Sequence, residues 1–156
     1  MTPKQQLESF IDKFTPEVAA QARAAFAWMR RKFPAATVLV YDNYNALAIG
    51  FGPNERTSEA VFSIAVFPKW VNLFFLQGAA MRDPHRRLAG SGNQARHIRL
   101  DPIDLLDDPQ VLELIDSEAK RLGLVPGTGR GKIVIKSVSD RQRPRRPAGS
   151  RARFVK

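Results

Sequence analysis

The sequence predicts an α+β fold, in which a mainly antiparallel sheet of about five strands packs with two N-terminal helices and one C-terminal helix. Two observations support this class. Apolar residues recur at helical spacing near the start of the chain and again after residue 108, whereas the middle consists of short β-branched and aromatic runs. Because no helical pattern separates these runs, we expect neighbouring strands to pair as hairpins rather than through parallel crossovers.

Start and stop signals delimit each predicted helix. The first helix begins at Thr2-Pro3, and the second begins at Thr15-Pro16 and ends at Pro34. A third begins at Asp108-Pro109 and ends at Gly123. Thr and Asp are favoured as N-caps, Pro suits the first helical position, and Gly suits the C-terminal cap. All three segments carry an apolar face that could pack on a sheet.

Five strands are predicted between these helices. The first two flank a polar turn, and the next two flank Pro68-Lys69-Trp70, so each pair indicates a hairpin. The second pair is too apolar to have a wet face and is placed in the middle of the sheet. The last strand alternates polar and apolar residues, as an edge strand or a half-exposed strand does. In order, the predicted strands are Thr37–Tyr41, Ala46–Phe51, Ala60–Phe67, Val71–Leu76 and Arg96–Leu100.

Positive charge is concentrated at the C-terminal end. The chain has 25 Lys and Arg against 15 Asp and Glu, a formal net charge of +10. Residues 130–156 contain ten of those bases and one acid, so they carry nearly all of the net charge. We therefore divide the chain into an α+β domain over residues 1–128 and a basic Gly/Pro/Arg-rich tail over 129–156. Residues 132–138 have strand propensity and are expected either to add a strand to the sheet or to lie along it. Residues 141–156 have little to bury and are expected to be flexible.

Composition also excludes several classes of protein. There is no cysteine, which excludes disulfide scaffolds, thiolate catalysis and metal sites held by Cys. The N-terminal residues do not resemble a signal peptide. No apolar stretch approaches the roughly 20 residues that a membrane helix needs. The sequence therefore predicts a soluble, cytoplasmic protein without a membrane span.

No catalytic set, metal site or cofactor is predicted. His85 and His97 lack the spacing of metal ligands, and no serine lies in a nucleophile-elbow motif. The glycine run at residues 127–132 does not have the spacing of a phosphate-binding P-loop, and it is interpreted as a linker. The acids between residues 101 and 116 are expected mainly to cap helix starts. An enzyme is therefore less favoured than a binding protein.

Candidate ligand-binding residues fall in predicted turns and beside them. Aromatic side chains at turns can face a ligand, and a small-residue loop beside arginines can offer backbone N–H groups to an anion. The alternative is structural: the aromatics cover the edge of the core, the glycines make a turn, and the arginines are a solvated rim. The candidates are Tyr44, Trp70, Gly90, Gly92, Arg96 and Arg99.

The tail supplies a second set of candidates. Its dense positive charge will attract polyanions, and arginine suits phosphate because its guanidinium forms two parallel hydrogen bonds. Nucleic acid or another polyanion is the expected partner of the tail, and a solubilising tail without a partner is the alternative. The polyanion-binding candidates are Arg141, Arg143, Arg145, Arg146, Arg151 and Arg153.

The middle of the chain also resembles a known family. The run FPKWVNLFF from Phe67 to Phe75 is followed by Gly78-Ala79, Asp83-Pro84, Gly90-Ser91-Gly92 and Arg96-x-Ile98-Arg99-Leu100. This succession, within about residues 18–120, resembles the YdhG-like domain family, whose function is unknown. The resemblance implies an α+β domain with an antiparallel sheet and brings no catalytic residues. Some relatives have been proposed as frataxin-like iron chaperones, and frataxins use an acidic ridge that this chain lacks.

The sequence thus favours a non-enzymatic binding module, with a small ligand or protein partner on the domain and a polyanion on the tail. Two alternatives stay open. The first is a frataxin-like iron-binding chaperone, in which Asp101, Asp104, Asp107 and Asp108 would bind Fe²⁺. The second is an enzyme of unknown reaction.

Overall fold

Residues 1–148, the part of the chain that the computed structural model describes, form three α-helices and six β-strands. The helices are α1 (Pro3–Ile11), α2 (Pro16–Lys32) and α3 (Pro109–Leu122). The strands are β1 (Thr37–Asp42), β2 (Leu47–Gly52), β3 (Phe62–Val66), β4 (Val71–Phe75), β5 (Arg96–Arg99) and β6 (Ile133–Val138).

The six strands form one sheet in the order β5-β4-β3-β2-β1-β6. Consecutive strands from β1 to β5 pair antiparallel, and β6 pairs parallel with β1. The predicted α+β class with a mainly antiparallel sheet is therefore confirmed. The sheet gains a sixth strand from the basic C-terminal part, beyond the domain boundary suggested at residue 128.

The three helices begin at their predicted caps and α3 ends at Gly123, whereas α2 ends at Lys32, two residues before Pro34. Thr2 and Gln5 exchange side-chain and backbone hydrogen bonds in a capping box at the start of α1. The Thr15 hydroxyl accepts from the backbone N–H of the third helical residue of α2, and the Asp108 carboxylate caps α3. Gly123 ends α3 with a φ of 75°, a left-handed conformation that favours glycine. These caps satisfy backbone groups that would otherwise lack partners.

The hydrophobic core lies between the three helices and one face of the sheet. Alternate residues of every strand point into it, because side chains in a strand alternate between faces. Phe62 of β3 lies at its centre. Its ring stacks on Phe33 at 5.6 Å between centroids and meets Phe75 edge-on at 5.5 Å. The remaining strand positions point to the opposite face, which has no α-helix over it within residues 1–148.

On that opposite face, residues of neighbouring strands pair across the sheet. Asn72 of β4 pairs with Arg99 of β5 on one side and with Ala65 of β3 on the other. The loop after β2 covers part of the β1 side, where Tyr41 shares a hydrogen bond with Thr57. At the β5 end of this face Arg99 is exposed, His97 packs half-buried against Phe74, and Asn72 is buried.

Residues 139–148, called here the C-terminal segment, are held against the domain. The backbone N–H of Ser139 donates to the Asp42 carbonyl, and that of Arg143 donates to the Tyr44 carbonyl, both at 2.9 Å. Arg145 is only 6% exposed. The sequence indicated a flexible tail because this segment has few apolar residues, but polar contacts fix its described part instead.

Within residues 1–148, no helix is both long and apolar enough to cross a membrane.

Candidate functional site

A groove opens at the end of the sheet where the β1–β2 and β3–β4 turns lie beside the C-terminal segment. We call it the hairpin groove. Its volume is about 890 Å³, which is within the range of small-molecule sites. Seven residues from three stretches of chain line it: Asn45, Phe67, Pro68, Lys69, Trp70, Arg143 and Pro144.

The β3–β4 turn places the largest side chain of the groove. The backbone N–H of Phe67 donates to the Trp70 carbonyl at 2.9 Å, which closes a two-residue turn of Pro68 and Lys69. Proline pre-sets the backbone angle that such a turn needs. The two flanking aromatic side chains are therefore cross-strand neighbours, with ring centroids 5.9 Å apart. Trp70 stays 36% exposed, and Lys69 projects from the tip of the turn.

The β1–β2 turn contributes the second exposed aromatic. A hydrogen bond from the Asn43 N–H to the Ala46 carbonyl closes this turn and leaves Tyr44 and Asn45 at its tip. Tyr44 is 47% exposed. It does not line the groove itself, but it lies against Arg143, which does.

Each exposed aromatic carries an arginine on its ring. The guanidinium carbon of Arg99 is 4.9 Å from the centroid of Trp70, and that of Arg143 is 5.9 Å from the centroid of Tyr44. A cation over an aromatic face is attracted by the negative face of the ring. Arg99 reaches Trp70 because it pairs across strands with Asn72, which lies two residues further along the same face as Trp70. The two aromatic–arginine pairs hold both rings in fixed positions.

The groove is electropositive. Its lining includes two cations, Lys69 and Arg143, and no carboxylate. Within the described part of the chain, neither these two nor Arg99 is in a salt bridge. Unneutralised cations in a concave surface raise the local concentration of anions. The chemistry of the groove therefore suits a negatively charged ligand with a flat or apolar part.

A buried ion-pair cluster fixes the wall of the groove that the C-terminal segment supplies. We call Asp42, Lys13 and Arg145 the Asp42 clasp. Asp42 is fully buried and accepts from Lys13 Nζ at 2.7 Å and from Arg145 Nη2 at 2.8 Å. Arg145 directly follows Arg143-Pro144, so its anchoring positions these two lining residues.

Opposing effects set the pKa of Asp42. Burial acts to raise it, but hydrogen bonds from Lys13, Gln142 and Arg145 outweigh burial and hold the pKa below its usual value. Arg145 also donates to the Asn43 carbonyl at 2.6 Å, while its Nε and Nη1 are buried without a hydrogen-bond partner. The clasp therefore keeps Asp42 ionised opposite a cation that is out of contact with water.

Three of the six predicted ligand-binding residues come together. Tyr44, Trp70 and Arg99 lie at the groove or against its lining residues, whereas Gly90, Gly92 and Arg96 lie near the other end of β5. Arg96 and Arg99 are three positions apart in one strand, so they point to opposite faces.

The Gly90–Arg96 region is occupied by its own contacts. Arg96 Nη1 donates to the carbonyl oxygens of Gly92 at 2.5 Å and Ala95 at 2.8 Å. Gly90 has a φ of 112°, which supports a turn role for this glycine. The binding role predicted for these residues therefore gains no support from a shared cavity with Trp70.

The predicted polyanion-binding arginines have different surroundings. Arg141 is exposed, and Arg143 lines the groove. Arg145 is buried as a member of the Asp42 clasp and is not accessible to a polyanion. Arg146 is half-buried and donates through Nε to the Lys13 carbonyl at 3.2 Å. The last two candidates, Arg151 and Arg153, lie outside the described residues.

Two of the four acids considered for iron have structural contacts. Asp108 caps α3 and forms a salt bridge with Arg87 at 3.3 Å, and Asp107 accepts from the indole N–H of Trp28 at 2.9 Å. Across residues 1–148, no three His, Asp or Glu side chains are grouped so that they could hold a metal ion. No observation therefore favours the iron-binding alternative.

Several groove and clasp residues were missed from the sequence. Lys69 and Asn45 could have been found, because each is the neighbour of a predicted aromatic in the same turn. Lys13 and Asp42 gave no such signal, because they meet each other and Arg145 only through the fold. The predicted turns were therefore the signal that could have located Lys69 and Asn45.

No family model, curated protein or solved structure matches this chain. The resemblance to the YdhG-like domain family therefore stays a prediction from sequence.

Proposed function

We propose that the protein is a non-enzymatic binding module that holds a negatively charged ligand in the hairpin groove. The basic C-terminal part of the chain would extend this attachment to a polyanion. The observation that carries the proposal is the composition of the lining: exposed aromatic surface and unpaired cations, with no carboxylate. A cytoplasmic location stays a prediction from the absence of cysteine.

The same lining argues against catalysis in the groove. Proton transfer needs an acid or base such as a carboxylate, histidine or lysine near the reacting atoms, and acyl transfer needs an activated hydroxyl or thiol. Lys69 is the one such group in the lining, and it is exposed at the tip of its turn. The groove is lined by an amide, two prolines, two aromatic rings, a lysine and an arginine. These groups stack and neutralise charge, which is the chemistry of binding.

Retention on immobilised heparin tests the proposal. We expect the protein to bind at about 50 mM salt and to elute at lower salt after Lys69→Gln or Arg143→Gln, because each removes a cation from the groove. Arg31→Gln is the matched control, since Arg31 is exposed on α2 and its loss changes the net charge equally.

Two outcomes would contradict the proposal. Absence of retention at low salt would show that the groove does not bind polyanions. An equal elution shift for the groove variants and for Arg31→Gln would show that net charge, rather than the groove, determines retention.

A further inference from the structure

We infer that the hairpin groove, together with Tyr44 and Arg99 beside it, binds single-stranded nucleic acid, with unpaired bases stacked on Trp70 and Tyr44 and phosphates held by Lys69, Arg99 and Arg143. This inference rests on the proposed function and names the class of ligand for the same site. Four features of the described residues support it.

The first feature is the pair of exposed aromatic rings. Trp70 and Tyr44 lie at the tips of adjacent hairpins and are 36% and 47% exposed. Both rings therefore keep a third to a half of their surface open at the same end of the sheet, where a flat ligand can reach them. Every nucleobase has a flat face that stacks on such a ring, whatever its sequence.

The second feature is the arginine beside each ring. A nucleotide stacked on an aromatic ring carries its phosphate several ångströms away at the rim of the ring. Arg99 lies over one face of Trp70, and Arg143 lies over one face of Tyr44, so a base would stack on the other face of each ring. A guanidinium donates two parallel hydrogen bonds to phosphate oxygens. Each aromatic–arginine pair therefore matches both parts of a nucleotide.

The third feature is the course of the C-terminal segment. It runs from the end of β6 past the β1–β2 turn and brings exposed Arg141 and groove-lining Arg143 onto one edge of the domain. A row of cations along an extended segment can follow a sugar–phosphate backbone over several nucleotides. The Asp42 clasp fixes this row in advance, which lowers the entropy cost of binding.

The fourth feature is that the binding surface consists of flat ring faces, which favour unpaired strands over a duplex. In a duplex each base face is stacked on its neighbours and is closed to a side chain. Recognition by stacking on aromatic rings therefore needs bases that are free of a helix. An acidic peptide would satisfy the cations but would not use both flat rings, so single-stranded nucleic acid is the better match.

Two fluorescent ligands of equal charge separate base stacking from phosphate attraction. One is an oligothymidylate of about 12 nucleotides, and the other is an abasic deoxyribose-phosphate strand of the same length. Fluorescence polarisation measures the affinity of the full chain for each. We expect the oligothymidylate to bind at least about tenfold more tightly, because only it has bases to stack.

Variants of the aromatic residues locate the stacking. Trp70→Leu and Tyr44→Leu should each weaken binding of the oligothymidylate by about 5- to 150-fold and leave binding of the abasic strand unchanged. Trp70→Phe keeps an aromatic face and should retain most of the affinity. Both sites are exposed turn positions, so the substitutions leave the core intact.

Salt dependence tests the phosphate contacts. Three contacts from Lys69, Arg99 and Arg143 give a slope of log affinity against log salt near −2 on single strands, at about −0.7 per phosphate. Arg143→Gln should reduce the size of the slope by about 0.7, and Arg31→Gln should leave it unchanged.

The possible failures are distinguishable. Equal affinity for the oligothymidylate and the abasic strand overturns the inference but leaves the groove as an anion site. Tighter binding of duplex DNA than of the oligothymidylate also overturns the inference alone. If neither strand nor heparin binds, both the inference and the proposed function fail.

Discussion

The Asp42 clasp gives the sharpest prediction about stability. Asp42→Asn keeps the size of the side chain but removes its charge, so Arg145 becomes a buried cation without a counter-ion. Arg145 is 6% exposed and has two buried nitrogens that already lack partners, so it cannot turn to water without releasing the C-terminal segment. Removing one member of a buried ion pair costs about 3–5 kcal/mol. We expect the free energy of unfolding to fall by about that amount.

Substitutions of Lys13 and Arg145 test whether the buried Asp42–Arg145 pair causes the loss of stability. The side chain of Lys13 is 39% exposed and that of Arg145 is 4% exposed, so the Lys13 ammonium keeps more of its hydration and Lys13→Gln should cost less than Asp42→Asn. The double variant Asp42→Asn with Arg145→Met removes both buried charges and should recover most of the lost stability.

Urea denaturation followed by tryptophan fluorescence measures all four proteins. Equal losses for Lys13→Gln and Asp42→Asn would refute the claim that burial makes the Asp42–Arg145 pair the costly one to break. A double variant no more stable than Asp42→Asn would refute the claim that the unpaired Arg145 charge causes the loss.

Three further predictions follow from burial, charge and close contact. The lowered pKa of Asp42 means that its stabilisation is fully present above an unfolded-state pKa of about 3.9 and is lost as pH falls through the folded-state pKa. Asp42→Asn should therefore flatten the acid side of the stability profile measured by urea denaturation at each pH. A methyl group at Gly131 would overlap the Ala36 carbonyl, so Gly131→Ala should lower the free energy of unfolding in urea by about 1–3 kcal/mol. Gly92→Ala is the control, because a methyl group there meets open space and should leave the free energy of unfolding unchanged. Phe62→Ala should cost about 3–5 kcal/mol in urea denaturation, because it empties the centre of the core, and a loss below about 1 kcal/mol would contradict that placement.

Local patterns predicted most of the fold. The helix starts at Thr15 and Asp108 and the end at Gly123 depend on contacts within one turn, which a sequence displays directly. The two hairpins were also found, because their turns join strands that are neighbours in the chain. These elements established the α+β class before any long-range contact was known.

Long-range contacts were the part that the sequence did not reveal. β6 pairs with β1 across about a hundred residues, and Arg145 meets Asp42 over a similar separation. A basic segment offers many cations, and nothing in its pattern says which one is buried against which acid. A flexible tail was therefore the natural expectation for residues that the fold holds in place.

The candidate site was predicted in part for the same reason. Tyr44 and Trp70 were recognised because aromatic residues in turns stand out in a sequence. Arg96 and Arg99 could not be distinguished until the sheet fixed which of them faces Trp70. Arg143 was predicted to bind a polyanion, but only the fold shows that it lines the same groove as Trp70.

The fluorescence of Trp70 during titration tests the central claim most directly. Trp28→Phe leaves Trp70 as the single tryptophan of the chain, at a position that contacts Arg99 and the groove. Oligothymidylate should quench its emission and saturate at the concentration at which polarisation saturates, because a stacked base lies against the indole ring. Saturable binding with unchanged Trp70 emission would contradict the account, since it would place the ligand away from the hairpin groove.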